Sequence, residues 1–270
     1  MLQYILSTYL SRGGNGMDRV EALAHPYNSL GYWYPRVLGG TNVPMPATVI
    51  YEPVDPTLEE WSTAISRGEN LSPGWMEDLC SIAEGAFEQG AIFMRTDQTS
   101  AKYHFRKTCK LKSFNEIEAQ LNFLLLLQYG MMGMPQPKSV VLREFLQLAP
   151  VVVAGVEAKP FGAFGINAQL PIGAERRYFV RNEIVETHMP YWPEEAIKLG
   201  GETSATDWRE RLRLFNYESF EEVDLLTGYA EQAVACLEHS YWSIDFMFTT
   251  KGWMLPDAGF GECSEGASSS

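Results

Sequence analysis

The chain has 270 residues, of which 46% are hydrophobic and 20% are charged, and its formal net charge is -13. This length supports a sizeable core but not two full-size independent domains, so the sequence predicts one domain or two tightly joined lobes. The strong negative charge repels nucleic-acid phosphates and anionic lipid surfaces, which excludes general nucleic-acid binding.

The cysteines and the apolar segments indicate where the protein resides. Cys80, Cys109, Cys236 and Cys263 are far apart and lack metal-ligand spacing, as is typical of free thiols in a reducing compartment. The start of the chain is a poor match to a signal peptide. The most apolar run, residues 123–134, is too short to span a bilayer. We therefore expect a cytoplasmic protein that does not associate with membranes.

The predicted elements of the first half are strands and capped helices. Residues 43–52 combine prolines with β-branched residues, which predicts a strand that follows a loop. Helix-start signals occur at residues 57–60 and 72–77, and the second helix is expected to end near Gly90. A short buried strand is predicted over residues 91–95.

The second half adds two long helices and several strands. Residues 113–116 form a capping box for a helix that is expected to end at Gly130, and residues 219–222 form another for a last long helix. Strands are predicted over residues 139–148, 177–180, 184–187, 243–249 and 253–257. Because helices and hairpin strands are mixed without a regular βαβ alternation, the sequence predicts an α+β fold with antiparallel sheets.

The last predicted hairpin has the most informative local geometry. Its two apolar strands flank a three-residue loop that ends in Gly252, where a left-handed residue is needed. If Thr249 pairs with Trp253, Asp245 lies directly opposite Asp257, and like charges at that spacing destabilise a sheet. A divalent cation would turn this repulsion into binding, since carboxylates and ligand phosphates together usually hold Mg²⁺. The alternative is a register that differs by one residue, or a turn that begins at Asp257.

A basic island occupies residues 95–112, which carry six cations and one acid, Asp97. Arg95 ends the predicted buried strand, and a small polar loop leads from it to Lys102. Backbone N–H groups and hydroxyls in a loop bracketed by cations can bind phosphates. The loop lacks the glycines of a P-loop, and a charge run is also typical of a solvated face. Both interpretations stay open at this point.

Charged residues interrupt two other predicted strands. Arg143 and Glu144 are strand neighbours that face opposite sides, so at least one is directed toward a covered face, where a charge must be paired or liganded. The alternative to a liganded charge is a solvent-exposed edge strand or a salt bridge. Glu175 and Arg177 share one side of their strand, where Arg177 either holds an anion with two hydrogen bonds or pairs with Glu175.

Taken in order, these strand positions resemble the ATP-grasp superfamily over residues 43–262. That family has a basic strand, a phosphate-covering loop, a hinge strand near the adenine, a second basic strand and two acidic metal-binding strands. The matching positions here are Arg95, Lys102, Arg143 with Glu144, Arg177, Asp245 and Asp257. The likeness is greatest to small ATP-grasp proteins of phages and microbes, which are distantly related to the cell-division-cycle 123 group. The ordered set carries the resemblance, since no single motif is specific.

The resemblance implies an α+β ATP-grasp fold, in which two lobes with antiparallel sheets clasp a nucleotide. Residues 43–262 would form this domain, 1–42 an N-terminal segment packed on its core, and 263–270 a disordered tail. Arg95 resembles the strand residue that contacts the α- and β-phosphates, and Lys102 would close the phosphate loop. The expected contacts of ATP with the hinge strand are Arg143, Glu144, Phe145 and Leu146.

The resemblance also implies the catalytic and metal-binding residues. Arg177, together with Lys102, would stabilise the γ-phosphate or an acyl phosphate, while Asp245 and Asp257 would hold Mg²⁺. The family's final Glu-x-Asn pattern is replaced by a sequence that starts at Asp257 and continues with alanine and glycine. The third metal ligand is therefore not specified by the motif, and Glu262 is a candidate for it.

The implied activity is an ADP-forming ligation that uses Mg·ATP. A substrate carboxylate attacks the γ-phosphorus, and an amine then displaces phosphate from the acyl phosphate. The expected partners are small-molecule or peptide carboxylates and amines. Two alternatives stay open: an ATP-binding assembly factor or adaptor without ligase turnover, and a phosphotransferase that acts on a small molecule.

Overall fold

The computed structural model describes residues 19–69, 73–87, 92–100, 105–129, 135–149, 152–158, 166–194 and 207–264. The helices in these ranges are α1 (Arg19–Ala24), α2 (Leu30–Gly40), α3 (Leu58–Ser66), α4 (Trp75–Ala86), α5 (Phe105–Thr108), α6 (Ile117–Tyr129), α7 (Trp208–Phe215) and α8 (Phe220–Val234). The strands are β1 (Thr48–Tyr51), β2 (Ile92–Thr96), β3 (Lys110–Leu111), β4 (Val140–Glu144), β5 (Val152–Ala158), β6 (Ile166–Ile172), β7 (Glu175–Arg181), β8 (Ile184–Pro190), β9 (Tyr241–Thr249) and β10 (Gly252–Phe260).

Helix starts follow the capping signals of the sequence. The Thr57 hydroxyl accepts a hydrogen bond from the Glu60 backbone N–H at 3.2 Å, and the Glu60 carboxylate accepts one from the Thr57 backbone N–H at 2.8 Å. This capping box begins α3 as predicted, and Ser219 caps α8. The predicted end of α4 near Gly90 is wrong, because the helix ends at Ala86 and the next residue is extended.

Removal of the α3 cap is expected to lower the free energy of unfolding. Thr57→Ala leaves backbone N–H groups of the first turn without their side-chain acceptor, which typically costs about 1 kcal/mol. Urea denaturation measures the change. Thr63→Ala within the same helix is the matched control, since it removes a threonine hydroxyl without removing a cap and should be neutral or slightly stabilising. Equal stability of the two variants would contradict the assigned cap.

The first lobe is a sheet in the order β1-β4-β2-β3 with helices on one face. Ile92 and Met94 of β2 and Leu142 of β4 pack in a core with Trp61 of α3 and Leu121 of α6. Because side chains alternate along a strand, the residues between them in β2 and β4 face away from these helices. The opposite face of this sheet is therefore available to the rest of the molecule.

The second lobe is an antiparallel sheet in the order β10-β9-β7-β8. Tyr178 of β7 and Ile244 of β9 lie in a core that includes Leu226 of α8 and Trp33 of α2. Val141 of β4 belongs to the same core, so the two lobes pack against each other. Within the part of the chain that the structure describes, no helix has both the length and the apolar character needed to cross a membrane.

Several predicted boundaries differ from the structure. The strand predicted over residues 139–148 spans only Val140–Glu144, because the chain leaves the sheet after Glu144 and makes an isolated bridge from Leu148 to Thr249. The helix predicted from the 113–116 capping box begins with a 3-10 turn, Phe114–Glu116, and Glu116 accepts a hydrogen bond from the Lys112 N–H instead. The hairpin of β5 and β6 was not predicted.

Candidate functional site

The candidate site lies where the open face of the first sheet meets the second sheet. Arg143 is paired with Phe93 across β4 and β2, and Arg95 is paired with Val141. Cross-strand partners share a face, so Arg143 and Arg95 both point away from the helices of the first lobe and toward the second lobe. The predicted opposite orientation of Arg143 and Glu144 is confirmed: Arg143 is buried and Glu144 is half-buried.

Three charged residues meet across the second sheet. Arg177 of β7 is paired with Asp245 of β9, which is paired with Asp257 of β10. Glu175 lies two residues before Arg177 and shares its face, as the sequence predicted. Arg177 pairs with Asp245, however, and Glu175 instead accepts a hydrogen bond from the Trp192 indole N–H at 2.7 Å.

The predicted opposition of Asp245 and Asp257 is confirmed, although one detail of the hairpin is wrong. Thr249 is paired with Gly252 and not with Trp253, so the loop is one residue shorter than predicted. An irregularity between Met254 and Asp257 shifts the register by one residue and restores the pairing of the two acids. Gly252 has a φ of 98°, which a residue with a Cβ rarely adopts.

Each acid of the pair has an arginine partner. Arg177 donates from Nε to Asp245 Oδ1 at 2.7 Å and from Nη2 to Asp245 Oδ2 at 2.8 Å, a two-point contact in which both side chains are 16% exposed. Burial acts to lower the pKa of the Arg177 guanidinium, but Asp245 outweighs it and the pKa is raised. Arg95 Nη1 lies 3.0 Å from Asp257 Oδ2. The acids are therefore charge-balanced without a metal ion.

Arg143 differs from these two arginines because it has buried donors without a hydrogen-bond partner among the described residues. It is 4% exposed, and its Nη1 donates to the carbonyl oxygen of Pro256 in β10. Its Nε and Nη2 are buried without a hydrogen-bond partner among the described residues. Burial and then the nearby Arg95 lower the pKa of Arg143 to about 9, so the guanidinium remains charged at neutral pH. The site thus contains a buried cation with free donors.

Two clefts meet at the acid pair. The first has about 970 Å³ of empty space, part of it open to solvent, and its walls include Phe93, Phe145 and Leu146. The second has about 670 Å³, also partly open, and its walls include Asn28 and Ser243. Arg95, Asp245 and Asp257 line both clefts. The first cleft is mainly apolar, as ligand pockets usually are, whereas polar side chains dominate the second.

The other predicted hinge residues lie in the wall of the apolar cleft. Glu144 accepts a hydrogen bond from the Ala47 N–H at 3.0 Å and is ion-paired with Lys251 from the tip of the β9–β10 hairpin. The Lys110 Nζ lies over the ring of Phe145, 4.8 Å from the ring centroid. The sequence did not predict that the hairpin tip would contact the hinge strand, because that contact joins distant segments.

Some predicted residues cannot be placed in the site, and one has another role. Lys102 lies outside the residues that the structure describes. Glu262, the candidate third metal ligand, has its Oε2 3.3 Å from His239 Nε2 and lines neither cleft. Among the described residues, no group of three or more His, Cys, Asp or Glu side chains could hold a metal ion. A metal here would have two protein carboxylates, Asp245 and Asp257.

Asp97, the single acid of the basic island, has a structural role that the sequence did not reveal. Its Oδ1 accepts from the backbone N–H groups of Lys138 and Ser139 at 3.0 and 3.1 Å, and its Oδ2 accepts from the Ser29 hydroxyl at 2.8 Å. Ser29 caps α2 through the Gly31 N–H. Asp97 therefore fixes the start of α2 against the site, and a short-range sequence pattern carries no signal of this.

Comparison with known proteins identifies the fold. No protein-family model matches the sequence, and no curated protein does either. Cdc123 from Schizosaccharomyces pombe is similar in structure, with a TM-score of 0.55 and 11% identity over 92% of this chain and 88% of that one. VanG D-Ala:D-Ser ligase from Enterococcus faecalis has a TM-score of 0.50 and 10% identity over 93% of this chain and 57% of that one. The predicted α+β ATP-grasp fold of the chain is confirmed by this structural similarity.

Proposed function

We propose that this protein is a Mg·ATP-dependent ligase, which activates a carboxylate as an acyl phosphate and joins it to an amine with release of ADP. The observation that carries the proposal is the Asp245–Asp257 pair at the junction of an apolar cleft and a polar cleft. A nucleotide and an acceptor bound in the two clefts would meet at these acids. The D-Ala:D-Ser ligase activity in the name of a protein with this fold is of the same reaction class.

The residues of the site fit the charge of Mg·ATP. Asp245 and Asp257 would hold the cation, which supplies neutralisation of the negative charge on the transferring phosphoryl group. Arg95, now paired with Asp257, would turn to the phosphates once a metal occupies the acids. Lys102, which follows β2 in the sequence and lies outside the described residues, is proposed as a further phosphate cation.

The base and ribose would occupy the apolar cleft. Phe93, Phe145 and Leu146 line it, and aromatic and aliphatic side chains of this kind bury the faces of a planar base. Glu144, at the last position of β4, would lie near the adenine. The backbone at Phe145 and Leu146 supplies donor and acceptor groups where the chain leaves the sheet.

The acceptor would occupy the polar cleft, with Arg177 between it and the metal site. The cleft is polar and partly open, which suits a small molecule or a peptide terminus that carries a carboxylate. Arg177 would hold the carboxylate oxygens in line with the γ-phosphorus and stabilise the charge that develops during transfer. Catalysis would thus depend on positioning and charge neutralisation, and we assign no general base.

A second candidate function is that of an ATP-binding adaptor without ligase turnover. Two observations favour it: among the described residues the metal site has two acids without a third, and a group of large apolar side chains is exposed around the start of α8. These are Leu214, Tyr217 and Phe220, which are 70%, 71% and 87% exposed. Such a surface suits a protein partner.

Product analysis tests the proposal and separates the candidates. We expect incubation with Mg·ATP and a metabolite extract to give ADP, phosphate and a new mass that equals an acid plus an amine minus water. A product that is phosphorylated and stable to hydroxylamine would indicate a phosphotransferase. AMP as the product would contradict γ-phosphate chemistry, and nucleotide binding without any turnover would favour the adaptor.

A further inference from the structure

We infer that Arg143 is the primary phosphate-binding residue of the cleft, and that it recognises an oligophosphate chain independently of the nucleoside. One part of this inference rests on the proposed function, namely that the oligophosphate is the triphosphate of ATP. The observation behind it is the buried guanidinium whose Nε and Nη2 have no partner among the described residues. A buried charge with free donors is costly, and a ligand that accepts from them removes that cost.

Arg176 shows how this fold pairs the hydrogen-bond donors of a buried arginine that has a structural role. Arg176 is 1% exposed, and all of its nitrogens donate: Nε to Glu222 at 2.8 Å, Nη1 to the Glu175 carbonyl at 3.1 Å and Nη2 to the Tyr217 carbonyl at 2.8 Å. Arg143 is also buried, but within the described part of the chain it donates only to the Pro256 carbonyl. The difference indicates that the unused donors of Arg143 serve a ligand.

The surroundings of Arg143 select an anion with more than one negative charge. Its guanidinium carbon lies 5.7 Å from the Trp33 ring centroid and 5.4 Å from that of Tyr34, so aromatic faces stabilise the cation without using its N–H groups. Arg95, the neighbouring cation, lines the same cleft. Two guanidinium groups so placed repel each other, and a polyanion between them offsets the repulsion.

Arg143 can bind this anion before any ion pair in the site is broken. Arg95 and Arg177 are committed to Asp257 and Asp245, and each must release a carboxylate before it can contact a phosphate fully. Nε and Nη2 of Arg143 have no carboxylate to release among the described residues, and a phosphate oxygen reaches these buried atoms once the wall of the cleft opens around them. The phosphates therefore bind to Arg143 first. Arg95 then turns from Asp257 to the phosphates, and the two acids bind the metal.

Binding of inorganic tripolyphosphate tests the inference without a nucleoside or catalysis. We expect wild-type protein to bind magnesium tripolyphosphate in a calorimetric titration, and Arg143→Met to bind it at least about 100-fold more weakly, because two charge-assisted hydrogen bonds are lost. Arg143→Lys keeps the charge but loses the fork of donors, so its affinity should be intermediate. Arg143→Met should also keep or raise the Tm of the ligand-free protein, since an uncompensated buried charge is removed.

Arg176→Met is the matched control. It removes an equally buried arginine on the other face of β7, so it should lower the Tm while the folded protein still binds tripolyphosphate as wild type does. Unchanged tripolyphosphate affinity in Arg143→Met would overturn the inference. The inference would also be overturned if Arg143→Met bound tripolyphosphate normally but no longer bound a carboxylate such as succinate, because Arg143 would then belong to the acceptor site.

The inference and the proposed ligase activity can fail separately. If tripolyphosphate binding depends on Arg143 but no acceptor supports ATP turnover, the phosphate site stands and the ligase proposal fails. If ATP is turned over with the same KM in wild type and Arg143→Met, the ligase stands and Arg143 is not the phosphate residue.

Discussion

Asp257→Asn is expected to abolish Mg·ATP-dependent turnover while the protein remains folded. The substitution removes one of the two carboxylates proposed to hold the cation, and loss of a single electrostatic contact at a reacting centre typically costs about 10²–10³ in kcat. The cost in stability should be small, because the Asp257 side chain is 44% exposed and its ion pair with Arg95 is worth about 1 kcal/mol or less. ADP release and thermal unfolding measure the two effects.

Asp207→Asn provides the matched control for that experiment. Asp207 also pairs with an arginine, Arg211 at 2.9 Å, and the two side chains are 47% and 45% exposed. Asp207 directly precedes α7 and Arg211 lies on it, and neither residue lines a cleft. Its turnover should equal that of wild type. Full activity in Asp257→Asn would remove the metal assignment, and equal losses in both variants would point to a general effect of lowered charge.

The hairpin of β9 and β10 shows what a local pattern can predict. Period-two alternation across the predicted three-residue loop places Asp245 opposite Asp257, whereas the observed two-residue loop alone would put the two acids on opposite faces. The irregularity between Met254 and Asp257 offsets the error in loop length, so the acids are opposed as predicted. Because such an irregularity has no clear signal in the sequence, this agreement depended on a feature that the sequence did not reveal.

Contacts between distant segments could not be predicted from the sequence. The partner of Arg177 is fixed by the adjacency of β7 and β9, which are separated along the chain by β8, α7 and α8 among the described elements. A local interpretation offered Glu175 as the partner, yet Trp192 holds that carboxylate. The ion pair of Lys251 with Glu144 likewise requires the docking of one lobe on the other.

Helix α2 shows tertiary packing that overrides local propensity. It contains Pro35 and ends in two glycines, so the sequence gives little sign of a helix there. Trp33 and Val37 are 1% and 0% exposed in the larger core, and burial of such side chains outweighs the weak intrinsic preference. The Asp97–Ser29 hydrogen bond then fixes the beginning of the helix.

Arg177→Met should uncouple metal binding from catalysis. Without its two-point contact, Asp245 is a partly buried carboxylate with no counter-charge, so we expect the free energy of unfolding to fall by about 2–3 kcal/mol, below the ~3–5 kcal/mol typical of fully buried pairs. Because Arg177 no longer competes for Asp245, MgCl₂ alone should bind at least about tenfold more tightly. Turnover should nevertheless be lost, since the acceptor has lost its cation. Thermal unfolding with and without MgCl₂ measures the first two effects.

Arg181→Met separates this effect from the loss of any arginine in β7. Arg181 pairs with Glu186 at 2.7 Å, but their side chains are 34% and 35% exposed and neither lines a cleft. Its removal should cost about 1 kcal/mol or less and should not change the response to MgCl₂. If Mg²⁺ stabilises Arg177→Met no more than it stabilises Arg181→Met, then Asp245 does not bind the cation, and the ion pair with Arg177 is structural. If Mg²⁺ restores the lost stability, the arginine occupies the metal's place in the ligand-free protein.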